Sequence, residues 1–318
     1  MLFPVHIPDG FLSAGVTTAT WSMAAVSVAS ALRAEKTDPN PMPAGILGAT
    51  AAFLFAAQMI NVPVAPGVSG HLVGAALAAA LLGPWRALIA MTVVLVIQAL
   101  LFQDGGIGAL GANIIDMGVA GVATGYAVAA ITARWLKSPR GFAIGAVLGA
   151  FAATVAASVL TGVWLGLSGL YPTTGIIQVM VVTHAAIGVL EAALTGAILV
   201  TVLRWRPDLV RGLNTGHQVT HPVAALVGVM GVAIAVAAFI SPFASTLPDG
   251  LEYAATRLGF ASRARAAWPA PFAEYSLPFA ASGRIVTGAA GVLGTLAVAG
   301  IAWIISRSLR ADTHAIHR

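Results

Sequence analysis

The stretch Asn61-Val-Pro-Val-Ala-Pro-Gly-Val-Ser-Gly70-His71-Leu-Val-Gly74 interrupts a chain that is otherwise almost continuously apolar. Two prolines and two glycines within residues 63–70 disfavour a regular helix, so we expect helix only from about His71 to Gly83. Irregular backbone at membrane depth is tolerated only where protein buries it or where it lines a cavity. Such interrupted segments often mark the binding site of a transporter, and His71 is the one ionisable residue here.

The composition around this break is that of a membrane protein. Of 318 residues, 58% are hydrophobic and 8% are charged, with a mean hydropathy of +0.91, whereas soluble domains carry about 25% charged residues. Several stretches approach the roughly 20 residues that cross a bilayer. The predicted fold is an all-α polytopic membrane bundle of about nine transmembrane helices, grouped as seven plus two. The stretches are 14–32, 44–60, 63–82, 85–102, 107–133, 142–167, 176–203, 222–240 and 285–305.

The basic residues predict the orientation of these spans. With the N-terminus outside and the C-terminus cytoplasmic, twelve of the sixteen lysines and arginines fall inside, as the positive-inside rule requires. The other four share one long outer segment, 241–284, where that rule is weak. His6, residues 61–70 and the loops 103–106 and 168–175 then share the outer side, where an incoming solute would be captured.

Several functions are disfavoured by what the sequence lacks. Its net charge of +5 does not indicate nucleic acid, because the basic residues lie between apolar spans. The absence of cysteine leaves only nitrogen and oxygen ligands for a metal. The only lysines, Lys36 and Lys137, are not part of a phosphate-binding loop, so the chain is not expected to hydrolyse ATP. The start of the chain has no basic region typical of a cleaved signal.

His6 and His71 are the leading candidate residues. Both are predicted near the outer face, where two imidazoles can share a metal ion, and Ni²⁺, Co²⁺ and Cu²⁺ accept nitrogen donors well. The residues alone leave open the alternative of two unrelated polar side chains at a membrane surface.

A second group of polar residues lies within or beside the spans. His184 and Glu191 are seven residues apart on one predicted helix, on the same face and ~10 Å apart along the axis. They indicate either a functional ion path or a structural polar cluster. Gln98, Asp104 and Asn113 flank the outer loop and could orient a site through hydrogen bonds.

Other polar residues are weaker candidates. Asp116 is a further acid predicted to be buried, and Asp9 is expected to shape the Pro8-Asp9-Gly10 turn. Two histidine pairs have metal-like spacing but are interpreted as solvated residues of a linker and a tail. These pairs are His217 with His221 and His314 with His317.

Six strings, in order over residues 6–203, resemble the CbiM/NikM family, the substrate-capturing membrane components of cobalt and nickel energy-coupling-factor transporters. The seven predicted spans of this region match that family. The strings are His6-Ile-Pro-Asp-Gly10-Phe-Leu-Ser13, Gly67-Val-Ser-Gly-His71-Leu-Val-Gly74, Leu82-Gly-Pro-Trp85, Gln98-Ala-Leu-Leu-Phe-Gln-Asp-Gly-Gly106, Ala109-Leu-Gly-Ala-Asn113-Ile-Ile-Asp-Met-Gly118 and His184-Ala-Ala-Ile-Gly-Val-Leu-Glu191.

The resemblance implies a specific metal site. Family members begin Met-His, and the ion is bound by the terminal amine, by the backbone nitrogen and ring of that histidine, and by a second histidine in a Ser-Gly-His string. These two histidines match His6 and His71. Four residues precede Val5 here, and Pro4 has no N–H to deprotonate. Our hypothesis is that Val5 is the true start, read as Met from a GTG codon, so that its amine is a ligand; removal of residues 1–4 is the alternative.

A second resemblance concerns the end of the chain. Pro248-Asp-Gly-Leu-Glu252, Gly259-Phe260 and Glu274-Tyr-Ser-Leu-Pro278 resemble the PDGLE domain of a small accessory component of nickel and cobalt systems. We therefore expect a capture domain (1–203), a cytoplasmic linker (204–221), an accessory domain with two spans and an outer loop (222–310) and a tail (311–318). Asp249 and Glu252 receive no ligand role, since a turn explains them at least as well.

Together these features predict a non-enzymatic transporter subunit that captures Ni²⁺ or Co²⁺, with a slight preference for nickel, and that has no cofactor besides the transported ion. The resemblance implies as partners a transmembrane coupling subunit and two cytoplasmic ATPases, in the lipid bilayer of a bacterial cytoplasmic (inner) membrane. The alternatives are a membrane enzyme with a His184/Glu191 centre and a metal-independent scaffold.

Overall fold

The computed structural model describes residues 6–40, 42–213, 219–277 and 283–316. These residues are almost entirely helical, apart from one antiparallel pair of short strands, β1 (Val62–Ala65) and β2 (Val68–Gly70). The helices are α1 (Ala14–Lys36), α2 (Ala44–Gln58), α3 (Ala75–Leu82), α4 (Pro84–Phe102), α5 (Leu110–Leu136), α6 (Pro139–Leu167), α7 (Thr173–Trp205), α8 (Pro222–Phe243), α9 (Gly250–Leu258) and α10 (Arg284–Ile316).

The prediction of an all-α, multi-pass membrane bundle is confirmed. Within the described residues, six helices are long and apolar enough to cross a bilayer, namely α4, α5, α6, α7, α8 and the Arg284–Leu309 part of α10. The other three predicted stretches correspond to α1, to the 15-residue α2 and to the eight-residue α3. The count of nine spans and their orientation therefore stay predictions.

The third predicted span differs from expectation at its start. Residues 62–70 form the β1–β2 hairpin, and the helix begins at Ala75 rather than near His71. Gly74 immediately before α3 has φ 76°, a left-handed conformation that glycine adopts without a steric penalty. His71 therefore lies on extended chain between a hairpin and a helix, where its side chain is not constrained by a helical face.

The helix ends follow local sequence signals. Ser13 and Ser138 cap α1 and α6 by accepting hydrogen bonds from Val16 N and Gly141 N. Three of the long helices contain π-helical turns, Gln98–Phe102 in α4, Ile114–Gly121 in α5 and Val236–Ile240 in α8. Such turns are rare and often occur at functional sites, and the first two carry Gln98 and Asp116.

Helix α2 is the centre of the fold and joins the two parts of the chain. Nearly all of its residues are buried, and both α8 and α10 pack against it. An added Cβ at Gly48 would lie 2.7 Å from Ala299 O, so glycine permits the close approach of α10. At one end of α2, Phe55 packs against Phe102 with ring centroids 5.3 Å apart. The part that follows the linker is therefore packed on the first part.

A buried ion cluster lies where α1 ends and α4 begins. Arg86 is 3% exposed and pairs with Glu35 at 2.5 Å and with Asp38 at 2.9 Å. Arg211, from the linker, pairs with the same Asp38 at 2.6 Å. Segments that the charge pattern assigns to the inner side thus meet in space and fix the start of the linker against the bundle.

Candidate metal-capture site

The N-terminal segment is fixed by the first turn of α5 and by the loop that precedes it. Asn113 bonds both main-chain groups of Ile7: its Oδ1 accepts from Ile7 N at 3.0 Å, and its Nδ2 donates to Ile7 O at 3.2 Å. Gly106 N also donates to Ile7 O at 2.9 Å. Ile7 and Phe11 are buried in a cluster with residues of α6, α7 and α9. His6 is therefore attached to a rigid stretch of backbone.

Asp9 has hydrogen-bond partners outside its own turn. Its carboxylate accepts hydrogen bonds from Ile107 N at 3.1 Å and Gly108 N at 2.7 Å, so it joins the N-terminal segment to the 103–109 loop. Its main-chain oxygen accepts from Arg265 N at 2.8 Å. Besides its expected place in the Pro8-Asp9-Gly10 turn, Asp9 therefore ties the N-terminal segment to a neighbouring loop.

His6 and His71 are brought together. Their ring centroids are 5.9 Å apart with the planes at 89°, and the residues are 4% and 7% exposed. A metal ion bound about 2.0–2.1 Å from a ring nitrogen lies roughly 3 Å from the ring centre. Two rings that share an ion therefore have centroids no more than about 6.5 Å apart, and this pair satisfies that limit.

Each of the three histidines at this site has its Nδ1 against a main-chain carbonyl. His6 Nδ1 donates to Asp104 O at 3.2 Å and lies 3.4 Å from Asp104 Oδ1. His71 Nδ1 donates to Leu72 O at 3.3 Å, and His184 Nδ1 donates to Met180 O at 2.8 Å. When these rings are neutral, the lone pair therefore lies on Nε2, which for His71 and His184 is an arrangement typical of metal-binding histidines.

The Nε2 atom of His6 is buried and has no hydrogen-bond partner among the described residues. A buried polar atom without a partner costs about 1–3 kcal/mol. Such an atom calls for an explanation, and a water molecule in an adjoining polar cavity is one partner that could satisfy it.

A second set of hydrogen bonds fixes the chain after His71. Glu191 accepts from Val73 N at 2.7 Å and from Gly74 N at 2.8 Å. Gln58 Nε2 donates to Val73 O at 2.8 Å, and Gln98 Nε2 donates to Gln58 Oε1 at 2.9 Å. Glu191, Gln58 and Gln98 thus determine the course of the His71 segment without approaching the ring itself.

A cavity of about 70 Å³ adjoins the two histidines, and we call it the histidine cavity. His184 lines it together with His6 and His71. At the α5–α6 side it is lined by Asp116, whose carboxylate accepts from Thr161 Oγ1 at 2.8 Å and from Trp164 Nε1 at 2.7 Å. The cavity accommodates several water molecules or one ion with water ligands.

Asp249, at the start of α9, also lines the histidine cavity. It is 6% exposed, and its Oδ1 caps α9 by accepting from Glu252 N at 2.7 Å. An added Cβ at the next residue, Gly250, would lie 2.5 Å from His184 Cε1. The sequence analysis named Asp249 within the Pro248-Asp-Gly-Leu-Glu252 string but gave it no role at the site.

The segment 244–277, which we call the covering segment, closes over the site. Its hydrogen bonds reach three parts of the first domain: the hairpin with the residue before it, the last turn of α4 with the loop that follows, and the N-terminal segment. They are Ser245 N to Asn61 O (2.8 Å), Ser69 Oγ to Leu247 O (2.7 Å), Ser69 N to Pro248 O (2.8 Å), Trp268 Nε1 to Leu100 O (3.1 Å), Phe272 N to Leu101 O (2.9 Å), Tyr275 Oη to Asp104 Oδ2 (3.0 Å) and Arg265 N to Asp9 O (2.8 Å).

Burial and charge set the pKa values of the groups around the cavity entrance. Burial lowers the pKa of His6, but the adjacent Asp104 outweighs this and raises it above its ordinary value. Burial raises the pKa of Asp104, but His6 outweighs this and lowers it. Burial raises the pKa of Asp249 to about 7. A cation that entered the cavity would stabilise the ionised form of this carboxylate.

The remaining predicted residues contribute less. Val5, His217 and His317 lie outside the described residues, and His221 is exposed at the start of α8. His184 and Glu191 lie on one helix as expected but have separate partners, with no hydrogen bond between them among the described residues. Nor do three or more His, Asp or Glu side chains in the described ranges converge closely enough to bind an ion in this arrangement.

Two family profiles match the sequence. That of CbiM, the cobalt uptake substrate-specific transmembrane region, matches residues 6–209, and that of the PDGLE domain matches residues 223–311. An Archaeoglobus fulgidus protein with the provisional name fused nickel transport protein NikMN is 32% identical over 96% of this chain and 99% of its own length. The cobalt transport protein CbiM of Sorangium cellulosum is 33% identical over 66% of this chain and 96% of its own.

The fold also matches known structures. A crystal structure titled as a truncated transition metal transporter superposes with a TM-score of 0.55 at 33% identity, covering 63% of this chain and 98% of the other. A second, titled as a transition metal transporter, gives 0.56 at 32% identity over 63% of this chain and 92% of the other.

Proposed function

This chain belongs to the CbiM family and carries a PDGLE domain, and from that premise we propose that it captures Ni²⁺ or Co²⁺ for uptake across a bacterial cytoplasmic membrane. The proposed ligands are His6 and His71, with the amine of Val5 as a third if the mature chain begins there. The observation that carries the proposal is the buried pair of rings, 5.9 Å apart, beside a cavity. It joins two segments that are far apart in sequence and that both resemble family motifs.

The expected chelate requires one change at His6. A residue that binds an ion through its own backbone nitrogen and its ring closes a six-membered ring only through Nδ1. This nitrogen now donates to Asp104. Ion binding in the proposed mode therefore exchanges the Asp104 contact for the metal, while Asn113 and Gly106 keep the backbone in place.

Binding of metal by the purified full-length chain tests the proposal. We expect one Ni²⁺ or Co²⁺ per chain, with Mg²⁺ as a negative control because it prefers oxygen ligands. His71→Ala and His6→Ala should abolish tight binding. The matched control is His221→Asn, since His221 is an exposed histidine remote from the cavity. Binding by His71→Ala as tight as by the parent chain would refute the proposal, and intact mass would identify the first residue.

Transport itself requires partners in this proposal. The family membership supports a transmembrane coupling subunit and two cytoplasmic ATPases, since the chain contains no phosphate-binding loop of its own. Cells that express the chain with and without these subunits, loaded with radioactive nickel or cobalt, test this. ATP-dependent accumulation should need all components. We favour nickel, because a relative that matches 96% of this chain is named as a nickel transport protein; stronger uptake of cobalt at equal concentration would reverse that choice.

A further inference from the structure

Tyr275 joins the PDGLE domain to the residue that contacts His6. Its hydroxyl donates to Asp104 Oδ2 at 3.0 Å, while His6 Nδ1 lies 3.4 Å from Asp104 Oδ1 and 3.2 Å from the main-chain oxygen of the same residue. Asp104 is 7% exposed. One buried carboxylate thus contacts polar groups of both domains, at the point where the proposed function requires His6 to change its partner.

Backbone conformation and packing fix the position of Tyr275. Tyr275 and Glu274 have φ of 55° and 54°, a left-handed conformation that is unfavourable for residues other than glycine. Residues in such conformations persist where surrounding contacts enforce them, and they cluster at functional sites. The contacts here are the Tyr275 ring, stacked on Phe102 with centroids 4.7 Å apart and planes at 24°, and the hydroxyl on Asp104. The strained turn therefore directs the hydroxyl to one acceptor.

Neighbouring residues hold the same part of the covering segment on the end of α4. Phe272 N donates to Leu101 O at 2.9 Å, and Trp268 Nε1 donates to Leu100 O at 3.1 Å. Carbonyl groups in the last turn of a helix lack partners within the helix, and these hydrogen bonds satisfy two of them. The loop that carries Asp104 follows directly after this turn. Tyr275 therefore meets Asp104 between two segments that are already joined.

We propose that Tyr275 is a positioning residue for ion capture, which stabilises the Asp104 carboxylate when His6 Nδ1 turns from Asp104 to the metal. The inference rests on the proposed function and gives the PDGLE domain a role that needs no further ligand. Before an ion binds, His6 and Tyr275 both contact Asp104. Each hydrogen bond lost by a buried carboxylate is unfavourable. With the hydroxyl in place, release of His6 removes one of these two contacts; without it, release removes the last of them.

The test uses the full-length chain with Ni²⁺ as the probe. Tyr275→Phe removes the hydroxyl and keeps the stacked ring. Tyr253→Phe is the matched control for loss of a hydroxyl in the same segment, since Tyr253 Oη accepts from Arg257 at 3.0 Å in an exposed pair. Trp268→Phe removes one hydrogen bond that holds the covering segment and leaves Asp104 unchanged. Ni²⁺ affinity is measured for each substitution in the parent chain and in an Asp104→Ala background.

We expect Tyr275→Phe to weaken Ni²⁺ binding about tenfold or more, the typical effect of losing a hydrogen bond to a charged group. In the Asp104→Ala background the same substitution should have little further effect, because the residue through which it acts is absent. Tyr253→Phe should bind like the parent chain, and Trp268→Phe should have equal effects in both backgrounds. Parent-like affinity of Tyr275→Phe, or an equally large loss in both backgrounds, would overturn the inference.

A second measurement decides the question if Asp104→Ala binds no Ni²⁺. In metal-free protein labelled with ¹⁵N-histidine, the His6 signal is identified by its loss in His6→Gln. Tyr275→Phe should shift this signal, because one donor that competes for Asp104 is gone, whereas Tyr253→Phe should leave it in place. An unchanged His6 signal in Tyr275→Phe would overturn the inference. Failure of the proposed function is a separate result, namely normal Ni²⁺ binding by His71→Ala.

Discussion

Asn113 binds Ile7 through both of that residue's main-chain groups, at 3.0 and 3.2 Å, and thereby fixes the backbone that carries His6. Asn113→Ala removes both hydrogen bonds without touching either histidine. We expect Ni²⁺ affinity to fall about 10- to 100-fold, the usual effect of losing a residue that orients a ligand. Titration of the purified variant measures this, with Asn40→Ala on an exposed loop as control. Parent-like affinity would show that Asn113 does not position the site.

Glu191→Gln tests the segment that follows His71. The carboxylate accepts from two adjacent N–H groups, and an amide can accept from only one of them while its NH₂ faces the other. We expect about 1–3 kcal/mol of destabilisation and weaker Ni²⁺ binding, measured by chemical unfolding and by titration. A variant that loses only an enzymatic activity, with stability and metal binding intact, would instead support the alternative of a His184/Glu191 enzyme.

Gly70→Ala tests the packing of the hairpin on α7. The new Cβ would lie 2.6 Å from Ile187 Cγ1, so either the hairpin or α7 must shift, and His71 with it. We expect reduced Ni²⁺ affinity. Ile187→Ala removes the obstructing atoms, so the double variant should bind more tightly than Gly70→Ala alone. Additive effects of the two substitutions on affinity would contradict this steric explanation.

The covering segment predicts that ion exchange requires opening. Ser245 N donates to Asn61 O at 2.8 Å, and the chain has no cysteine, so Asn61→Cys with Ser245→Cys introduces the only possible disulfide. In the oxidised double variant, Ni²⁺ should enter and leave much more slowly than in the reduced form, as measured by stopped-flow competition. Each single variant controls for the substitutions themselves. Equal exchange rates in oxidised and reduced protein would show that the ion has another route.

Arg86→Met tests the buried ion cluster. Arg86 is 3% exposed and pairs with Glu35 and Asp38, so its removal takes the Arg86 counter-ion away from the buried carboxylate of Glu35, while Asp38 keeps Arg211. We expect a loss of about 3–5 kcal/mol in the free energy of unfolding. Arg134→Met, at an exposed position near the end of α5, should change it by less than about 0.5 kcal/mol. A small effect at Arg86 would mean that Arg211 compensates.

Some of these relationships could be read from the sequence and others could not. The apolar stretches predicted the long helices because each helix satisfies its own backbone, and Pro63 and Pro66 predicted the break before His71. The hairpin at the break was missed, because proline and glycine exclude a helix without specifying what replaces it. Glu191 was noticed as a buried acid. Its partners are the main-chain N–H groups of Val73 and Gly74, and these could not be predicted because almost every residue type carries the same N–H group. Asp249 was interpreted as a turn residue, because only the tertiary fold brings it to the cavity.

Covalent joining of the two domains has a thermodynamic consequence for the covering segment. A separate accessory chain would reach the hairpin and the loop after α4 only by a bimolecular encounter that depends on how much of it the cell makes. In this chain the linker is anchored by Arg211 to Asp38, and the same docking is unimolecular. Tethers of this kind produce local concentrations of about millimolar. At such concentrations, contacts that could not assemble two separate subunits are sufficient to keep the site covered. The same contacts are weak enough to break each time an ion enters or leaves.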